Sequence, residues 1–162
     1  MHVYPENLRM EERELLGAII LSVIAILCSC EMAPISFAVY AEIPDLGLKT
    51  VPEVITWVSI NIEYVAEKSG ENDWQNPGVT YYLGTGDCED YATLSMYLIH
   101  RLGIESRVIR GTKISTDIGH FWVEAEGNWW ESIKGRMCNG YIDTYKDFTY
   151  YDYDYLLGEY EL

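Results

Sequence analysis

A glycine-punctuated loop leads into an amphipathic helix at residues 84–103, and this unit constrains the rest of the fold. The apolar positions after Cys88 recur at helical spacing: Tyr91, Leu94, Leu98 and Leu102. Gly103 supplies a C-terminal stop. A thiol at a helix N-terminus feels the positive end of the macrodipole, which stabilises a thiolate. The stretch therefore predicts a helix that begins with a candidate nucleophile, Cys88.

Two acids flank this thiol. Asp87 precedes Cys88 and can cap the helix, and Glu89 follows it. Both carboxylates oppose ionisation of the thiol, because like charges disfavour each other. A reactive Cys88 therefore needs a cationic partner, which in thiol catalysis is usually histidine.

The chain contains three histidines. His2 precedes the hydrophobic N-terminal segment, and His100 lies twelve residues after Cys88 on the same predicted helix. A rise of about 1.5 Å per residue puts His100 roughly 18 Å from the thiol, far beyond hydrogen-bond reach. His120 remains as the candidate partner.

The segment that carries His120 is predicted to form a β-hairpin over residues 119–133, with Glu126-Gly127 as a tight turn. This register puts Trp122 opposite Glu131, so that Glu131 lies one strand away from the start of the His120 strand. Its carboxylate could accept a hydrogen bond from the imidazole and orient it. A slip of one residue would turn Glu131 to the other face, in which case Asp143 is the alternative third member.

Three motifs together resemble the transglutaminase-like superfamily, particularly its bacterial cysteine-proteinase-like branch. They are Asp73-Trp-Gln-Asn-Pro77, Gly86-Asp-Cys-Glu-Asp-Tyr-Ala92 and Gly119-His-Phe-Trp-Val-Glu124, and the resemblance spans roughly residues 52 to 133. It implies an α+β, papain/transglutaminase-like core. In such a core, an N-terminal helix and the nucleophile-bearing helix pack on an antiparallel sheet that carries the histidine and the acid.

The resemblance also implies roles for individual residues. Cys88 would be the nucleophile and His120 the general base and acid, with Glu131 at the place where the family usually has Asp or Asn after a longer hairpin. Gln75 could donate its side-chain amide to an oxyanion, as a glutamine does in papain-like enzymes, although a structural role is equally compatible with its loop. No cofactor is required for this chemistry.

Some secreted members of the branch bind calcium through acids that flank the cysteine, and the matching residues are Asp87, Glu89 and Asp90. Clustered carboxylate oxygens suit calcium. The alternative is that Asp87 only caps the helix and Asp90 only faces solvent.

The segment before the predicted domain reads as a targeting or anchoring segment. Leu15–Leu27 is an almost unbroken apolar run, and Leu27-Cys-Ser-Cys30 resembles a lipoprotein box with Cys30 as the lipid-bearing residue. Cleavage after Ala38 or Ala41, an uncleaved anchor and a buried core helix are the alternatives. Residues 1–30 are thus predicted to place the protein in the cell envelope, on the membrane or secreted.

The predicted organisation continues with a linker over residues 31–49, a transglutaminase-like domain over 50–140 and a Tyr/Asp-rich arm over 141–162. The alternation in this arm is compatible with a strand that has one aromatic face, but its repeated Asp residues favour a loosely ordered arm packed through its rings. Within the domain, a helix is expected from Thr50 to about Glu67, followed by a polar loop from Glu71 to Thr85. The 162 residues carry a formal charge of −15. Such a charge argues against binding nucleic acid or an anionic membrane surface electrostatically.

Two functions fit the sequence. The first is an exported or membrane-anchored cysteine protease or acyl-transfer enzyme that acts on peptide or glutamine amides of a protein substrate. The second is a catalytically inactive binding or scaffold domain with the same fold. Cys138 is the other cysteine of the predicted domain, and a disulfide between Cys88 and Cys138 would abolish the nucleophile. The substrate and the oligomeric state stay open.

Overall fold

An antiparallel sheet and the helix that begins at Cys88 form the centre of the structure, a computed structural model that describes residues 42–67 and 74–160. Four α-helices are described: α1 (Val51–Asn61), α2 (Pro77–Leu83), α3 (Cys88–His100) and α4 (Tyr153–Tyr160). The strands are β1 (Glu63–Tyr64), β2 (Thr85–Gly86), β3 (Ser106–Lys113), β4 (Gly119–Ala125), β5 (Asn128–Glu131), β6 (Arg136–Met137) and β7 (Tyr145–Asp152). A 3₁₀ helix spans Asn139–Asp143.

Helix α1 begins where the side chain of Thr50 accepts a hydrogen bond from the backbone N–H of Glu53, at 3.4 Å. Its buried residues are Val51, Val54, Ile55 and Val58. The prediction that this helix runs to about Glu67 is wrong, because Ile62 is extended and β1 follows at once. Strand β1 pairs in parallel with β2. Its backbone N–H and C=O groups therefore form hydrogen bonds with β2 rather than within a longer helix.

Helix α2 lies within the segment that was predicted to be a polar loop, which corrects that prediction. Asn76 caps it by accepting from the N–H of Gly78 at 2.8 Å, and Pro77 occupies its first position. Gly84 ends the helix in the left-handed conformation, with φ of 66°. The helix turns the chain back towards Cys88.

Helix α3 is buried along most of its length and packs against α1 on one side and β4 on the other. The main core forms at these contacts. Its most buried apolar members are Val54, Ile55, Val58, Ala92, Leu94, Ile99, Val108 and Val123. The sequence prediction of an apolar helix that starts at Cys88 is confirmed.

The main sheet has the strand order β6-β5-β4-β3-β7, and all neighbouring strands are antiparallel. The predicted hairpin register is confirmed: Val123 lies opposite Trp130, Glu124 opposite Trp129 and Ala125 opposite Asn128. Both turn residues have positive φ, 54° at Glu126 and 70° at Gly127. Two such residues give the tight turn that fits the twist of a hairpin.

Strand β7 replaces the loosely ordered arm expected at residues 141–162. It pairs with β3, with Val108 opposite Tyr151 and Lys113 opposite Tyr145. The register shifts between Arg110 and Thr112, and Asp147 has a positive φ of 55°. This irregularity lets an Asp-rich sequence join the sheet while rings such as Tyr151 pack on the core.

Several predictions fall on residues outside the described ranges. They concern the signal, lipoprotein-type or anchor segment at 1–30, the lipid-bearing Cys30 and cleavage after Ala38 or Ala41. Among residues 42–67 and 74–160, none of the helices has the length and apolar character that a membrane span requires.

Candidate active site

Cys88 is the first residue of α3, and its half-buried sulfur lies against the beginning of β4. The backbone N–H of Phe121 interacts with this sulfur and favours its thiolate form. On its own helix, Cys88 Sγ lies 3.1 Å from Oε2 of Glu89, to which the thiol donates. The fold therefore brings the cysteine to the residue that follows His120, although the two are far apart in sequence.

The surroundings of Cys88 keep its sulfur protonated. Burial contributes most to raising the pKa of the thiol above its ordinary value, followed by the hydrogen bond to Glu89 and the charges of Glu89 and Asp87. The N–H of Phe121 acts in the opposite direction and lowers this pKa. Cys88 can thus ionise only where the negative charges of the neighbouring Asp87 and Glu89 are offset.

His120 is held by a carboxylate from the adjacent strand. Its Nε2 lies 2.8 Å from Oε2 of Glu131, and the two side chains are 20% and 1% exposed. The predicted pairing across the hairpin thus exists in the structure. Since Nε2 is engaged by Glu131, Nδ1 is the ring nitrogen that is left for a second partner. Asp143, the alternative partner, lies exposed at the end of the 3₁₀ helix.

Aromatic rings surround the His120–Glu131 pair. The ring centroid of His120 lies 5.8 Å from that of the fully buried Trp122 and 6.3 Å from that of Tyr145 in β7. Tyr145 in turn stacks on Tyr141 at 5.7 Å. These rings restrict access of water to the pair, which strengthens a hydrogen bond to a carboxylate. The contribution of Tyr145 was not predicted, because it depends on β7 joining the sheet.

Gln75 is tied to the cysteine helix through Asp90. Its backbone N–H donates to Asp90 Oδ1 at 2.7 Å, and its Nε2 donates to Oδ2 at 3.0 Å. Oδ2 also accepts the backbone N–H of Asp87 at 3.1 Å. One amide hydrogen of Gln75 is therefore used within the protein. Asp90 is 1% exposed, which corrects the alternative that it faces solvent.

Gly86 makes this arrangement sterically possible. A Cβ at residue 86 would lie 2.6 Å from Cβ and 2.9 Å from Oδ2 of Asp90. Only glycine permits such a close approach of the Asp90 side chain to the backbone. This contact between Gly86 and Asp90 was not predicted; its signal in the sequence is a glycine four residues before an aspartate at a helix start.

Asp87 and Glu89 form a compact group of oxygen atoms with the sulfur of Cys88. One ligand atom from each of these three residues lies within 4.8 Å of the others. Oδ1 of Asp87 is buried and has no hydrogen-bond partner among the described residues. Burial, and then the hydrogen bond and charge of Glu89, raise the pKa of Asp87 to about 8.

This donor set suits a hard divalent cation such as calcium. Two adjacent carboxylates repel each other unless they share a proton or bind a cation, and Asp87 has an unused buried oxygen. Asp90 does not belong to the group within 4.8 Å, and both of its oxygens accept hydrogen bonds from the protein. Asp87 and Glu89 therefore fit the predicted calcium site better than Asp90 does.

Cys88 and Cys138 are both free cysteines, so the structure contains no disulfide between them. Cys138 is buried beside Trp122 and Ile109. Burial, with a smaller contribution from the charge of Glu131, raises the pKa of its thiol to about 12. Cys138 is thus protonated at neutral pH and serves as a reference thiol for the reactivity of Cys88.

A sequence profile described as the transglutaminase-like superfamily matches residues 39–148. The chain belongs to this superfamily. The match includes all three motifs that carried the resemblance in the sequence: Asp73–Pro77, Gly86–Ala92 and Gly119–Glu124. A search of curated proteins gives no match.

Solved structures of Legionella pneumophila LapG share the superfamily fold with this chain. The calcium-bound LapG structure has a TM-score of 0.53 at 15% identity and covers 64% of this chain and 67% of the LapG chain. A further LapG structure has a TM-score of 0.53 at 16% identity, with coverages of 68% and 73%. The EGTA-treated form has a TM-score of 0.50 at 18% identity, with coverages of 59% and 58%.

At these identities, the likeness to LapG concerns the fold. The predicted α+β, transglutaminase-like architecture is therefore confirmed, with a helix that begins at Cys88 and an antiparallel sheet that carries His120 and Glu131. The chemistry of this member of the superfamily must be argued from its own residues.

Proposed function

We propose that this member of the transglutaminase-like superfamily is a thiol acyl-transfer enzyme, and in the first place a cysteine protease. Its nucleophile would be Cys88, its general base and acid His120, and the residue that orients His120 would be Glu131. The observation that carries the proposal is the 2.8 Å contact between Nε2 of His120 and Oε2 of Glu131. Phe121, the residue after His120 on β4, interacts through its backbone with the Cys88 sulfur.

In the proposed reaction, Nδ1 of His120 takes the proton of the Cys88 thiol, and the sulfur attacks the carbonyl carbon of a substrate amide. His120 then gives this proton to the departing amine as the tetrahedral intermediate collapses to a thioester on Cys88. Water attacks the thioester and loses a proton to His120, which releases a carboxylic acid and restores the thiol. Glu131 fixes the imidazole and stabilises its charged form throughout.

Donors for the oxyanion would come from the N-terminus of α3, where backbone N–H groups have no partner within the helix. Gln75 is the proposed side-chain donor. Asp90 binds one hydrogen of its amide at 3.0 Å and holds its backbone at 2.7 Å. The remaining amide hydrogen is the one proposed to reach the oxyanion.

The substrate would be a peptide or glutamine amide in a protein. Water as the acceptor gives proteolysis or deamidation, whereas an amine acceptor gives transglutamination. Proteolysis is proposed first because the sequence motifs resemble the bacterial cysteine-proteinase-like branch. We also propose a location in the cell envelope, on account of the apolar run at Leu15–Leu27 and the lipoprotein-like sequence around Cys30.

We propose in addition that calcium binds Asp87 and Glu89. Support comes from the compact cluster of their oxygens, the unused Oδ1 of Asp87, and the calcium-bound form of LapG with the same fold. Bound calcium would supply fixed positive charge beside the sulfur of Cys88. Glu89, whose Oε2 otherwise accepts a hydrogen bond from the thiol at a Sγ–Oε2 distance of 3.1 Å, would then bind the ion rather than the thiol.

Calcium binding is tested by isothermal titration calorimetry on the full chain after EGTA treatment. Heat of binding is expected for the native protein and is expected to disappear in Asp87→Asn. Asp143→Asn, which removes an exposed carboxylate elsewhere, is the matched control and should bind as the native protein does. Equal binding by both variants would contradict the assignment of the ion to Asp87.

The enzyme proposal is tested by iodoacetamide labelling near neutral pH, with and without calcium, followed by mass spectrometry of each cysteine. Cys88 should be alkylated faster than the buried Cys138, and His120→Ala should abolish this preference. His100→Ala is the matched control, because His100 is exposed at the far end of α3. Cleavage of a diverse peptide library would then identify the substrate.

One observation favours the second function, a non-catalytic binding or scaffold domain. Burial and Glu89 keep the pKa of the Cys88 thiol above its ordinary value, so the thiol is not ionised by its surroundings. Equally slow labelling of Cys88 and Cys138 under both conditions, with no effect of His120→Ala, would favour this alternative.

A further inference from the structure

Strand β3 carries two partly buried arginines with different environments. Arg107 is fully engaged: its Nε lies 2.7 Å from Oε2 of Glu124, and its guanidinium lies 4.3 Å from the ring centroid of Tyr150. The side chain of Arg110 makes no hydrogen bond, ion pair or cation–π contact with any residue in the described part of the chain. In a protein with 26 acidic and 11 basic residues, a partly buried arginine without a carboxylate partner needs an explanation.

The position of Arg110 connects it to the candidate active site. Arg110 lies directly opposite Phe121 of β4, and paired residues of antiparallel strands share a face of the sheet. Phe121 is the residue whose backbone N–H interacts with the sulfur of Cys88. Arg110 is therefore separated from the proposed nucleophile by a single residue of the sheet.

The guanidinium of Arg110 lies against the backbone that leads into His120. A Cβ at Gly119 would be 3.1 Å from Nη2 and 3.5 Å from both Nε and Cζ of Arg110. Glycine at residue 119 thus leaves the space that the guanidinium occupies. This contact directs the charged end of Arg110 towards the start of β4, the end of the strand at which the backbone of Phe121 interacts with Cys88.

Aromatic rings flank the same face. The ring of Trp74 packs edge-on against Phe121, with centroids 5.0 Å apart, and against Tyr151, with centroids 5.1 Å apart. Phe121 belongs to β4 and Tyr151 to β7, so Trp74 spans the strand that carries Arg110. Apolar surroundings exclude water and strengthen a charge-assisted hydrogen bond to the guanidinium.

We infer that Arg110 is a specificity-determining residue that binds a carboxylate of the protein substrate beside Cys88. The inference rests on the proposed function. The planar guanidinium presents paired donors that match the two oxygens of a carboxylate. The substrate would carry this group either as the side chain of Asp or Glu near the attacked amide or as a free chain end.

The first test compares alkylation of Cys88 by iodoacetate, which carries a carboxylate, with alkylation by the neutral iodoacetamide. Rates are measured on the full chain by mass spectrometry. Arg110→Gln should lower the iodoacetate-to-iodoacetamide rate ratio about fivefold, and Arg110→Lys should restore part of it. Arg107→Gln is the matched control from the same strand and should leave the ratio unchanged. An unchanged ratio in Arg110→Gln would overturn the inference.

The iodoacetate-to-iodoacetamide rate ratio distinguishes a failure of the inference about Arg110 from a failure of the proposed function. One outcome is that Cys88 reacts faster than Cys138 in a His120-dependent manner while Arg110→Gln leaves the iodoacetate-to-iodoacetamide ratio unchanged. In that case the enzyme proposal stands and only the role of Arg110 is wrong. If Cys88 is inert towards both reagents, the enzyme proposal fails, and Arg110 is then tested by binding alone.

The binding test follows the Arg110 Nε–H resonance by NMR, assigned from its loss in Arg110→Gln. The probes are N-acetylglutamate α-amide with a side-chain carboxylate, N-acetylglutamine with a free α-carboxylate, and N-acetylglutamine α-amide with neither. A shift caused by the first probe supports recognition of an acidic side chain, and one caused by the second supports recognition of a chain end. The inference would be overturned if neither carboxylate probe shifted the Arg110 Nε–H resonance, or if the neutral probe shifted it equally.

Discussion

Glu131 engages His120 from the neighbouring strand, with 2.8 Å between Oε2 and Nε2, and is almost completely buried. A buried carboxylate with an imidazole partner both orients the ring and stabilises its protonated form. The second oxygen of Glu131, Oε1, has no hydrogen-bond partner in the described part of the chain. The stability of the buried carboxylate therefore depends strongly on His120.

Replacing Glu131 by Gln should test this dependence. The amide oxygen can still accept from Nε2, but the negative charge is lost, so the imidazolium that forms during catalysis is less stable. We expect the His120-dependent alkylation of Cys88 to slow about tenfold or more. Iodoacetamide kinetics measure this, and Glu124→Gln on the same hairpin serves as the control. An equal effect of both variants would mean that general hairpin damage, rather than the charge of Glu131, is responsible.

The relationship between His120 and Glu131 could be predicted because it is local. The Glu126-Gly127 turn fixes the hairpin register, and the register decides which carboxylate lies near the histidine. The start of α3 at Cys88 could be predicted for a similar reason, since helical periodicity extends over consecutive residues. The sequence resemblance then identified the superfamily, because the three motifs match it in order, spacing and residue type.

Features that depend on distant parts of the chain could not be predicted. Alternating Tyr and Asp residues do not identify a partner, so the pairing of β7 with β3 was missed. Helix α1 stops at Asn61 because β1 pairs with β2, which follows more than twenty residues later. The hydrogen bonds from Gln75 to Asp90 likewise join a loop to a helix across fifteen positions.

Asp87 should make the stability of the calcium-free protein depend on pH. Burial contributes most to raising its pKa from the ordinary value of 3.8 to about 8. The folded state binds this proton more tightly than the unfolded state does. The contribution of the protonated Asp87 to the free energy of unfolding is therefore fully present below about pH 4. It is lost as the pH rises through about 8.

Asp87→Asn should remove this dependence, since an amide does not ionise. In EGTA at pH 8, we expect the variant to melt about 3 °C above the native protein. At pH 4, where Asp87 is protonated, the two should melt together. Thermal unfolding followed by circular dichroism measures the difference. A gain of the same size at both pH values would contradict an effect of the charge.

Gly86 should be intolerant of a side chain. A Cβ would lie 2.6 Å from Cβ of Asp90, so Asp90 would have to move and release Gln75. We expect Gly86→Ala to reduce the free energy of unfolding by about 2 kcal/mol in denaturant titrations. Gly140→Ala is the control, because a Cβ there would have no atom within 4 Å from any described residue other than its chain neighbours. Equal stabilities of the two variants would mean that Asp90 can shift at little cost.

Tyr145 should protect the His120–Glu131 pair from water. Its ring centroid lies 6.3 Å from that of His120 and 5.7 Å from that of Tyr141. Removing the ring in Tyr145→Ala would admit water to the buried carboxylate and weaken the hold on the imidazole. We therefore expect alkylation of Cys88 by iodoacetamide to slow about threefold.

Tyr145→Phe keeps the ring and removes the hydroxyl, so it should react at nearly the native rate if shielding is the role of Tyr145. Tyr82→Ala removes a tyrosine that is 77% exposed in α2 and controls for the general loss of an aromatic side chain. If Tyr145→Phe slowed the reaction as much as Tyr145→Ala, the hydroxyl group would be the important feature. The ring would then contribute to packing alone, and water exclusion could not explain how His120 is held.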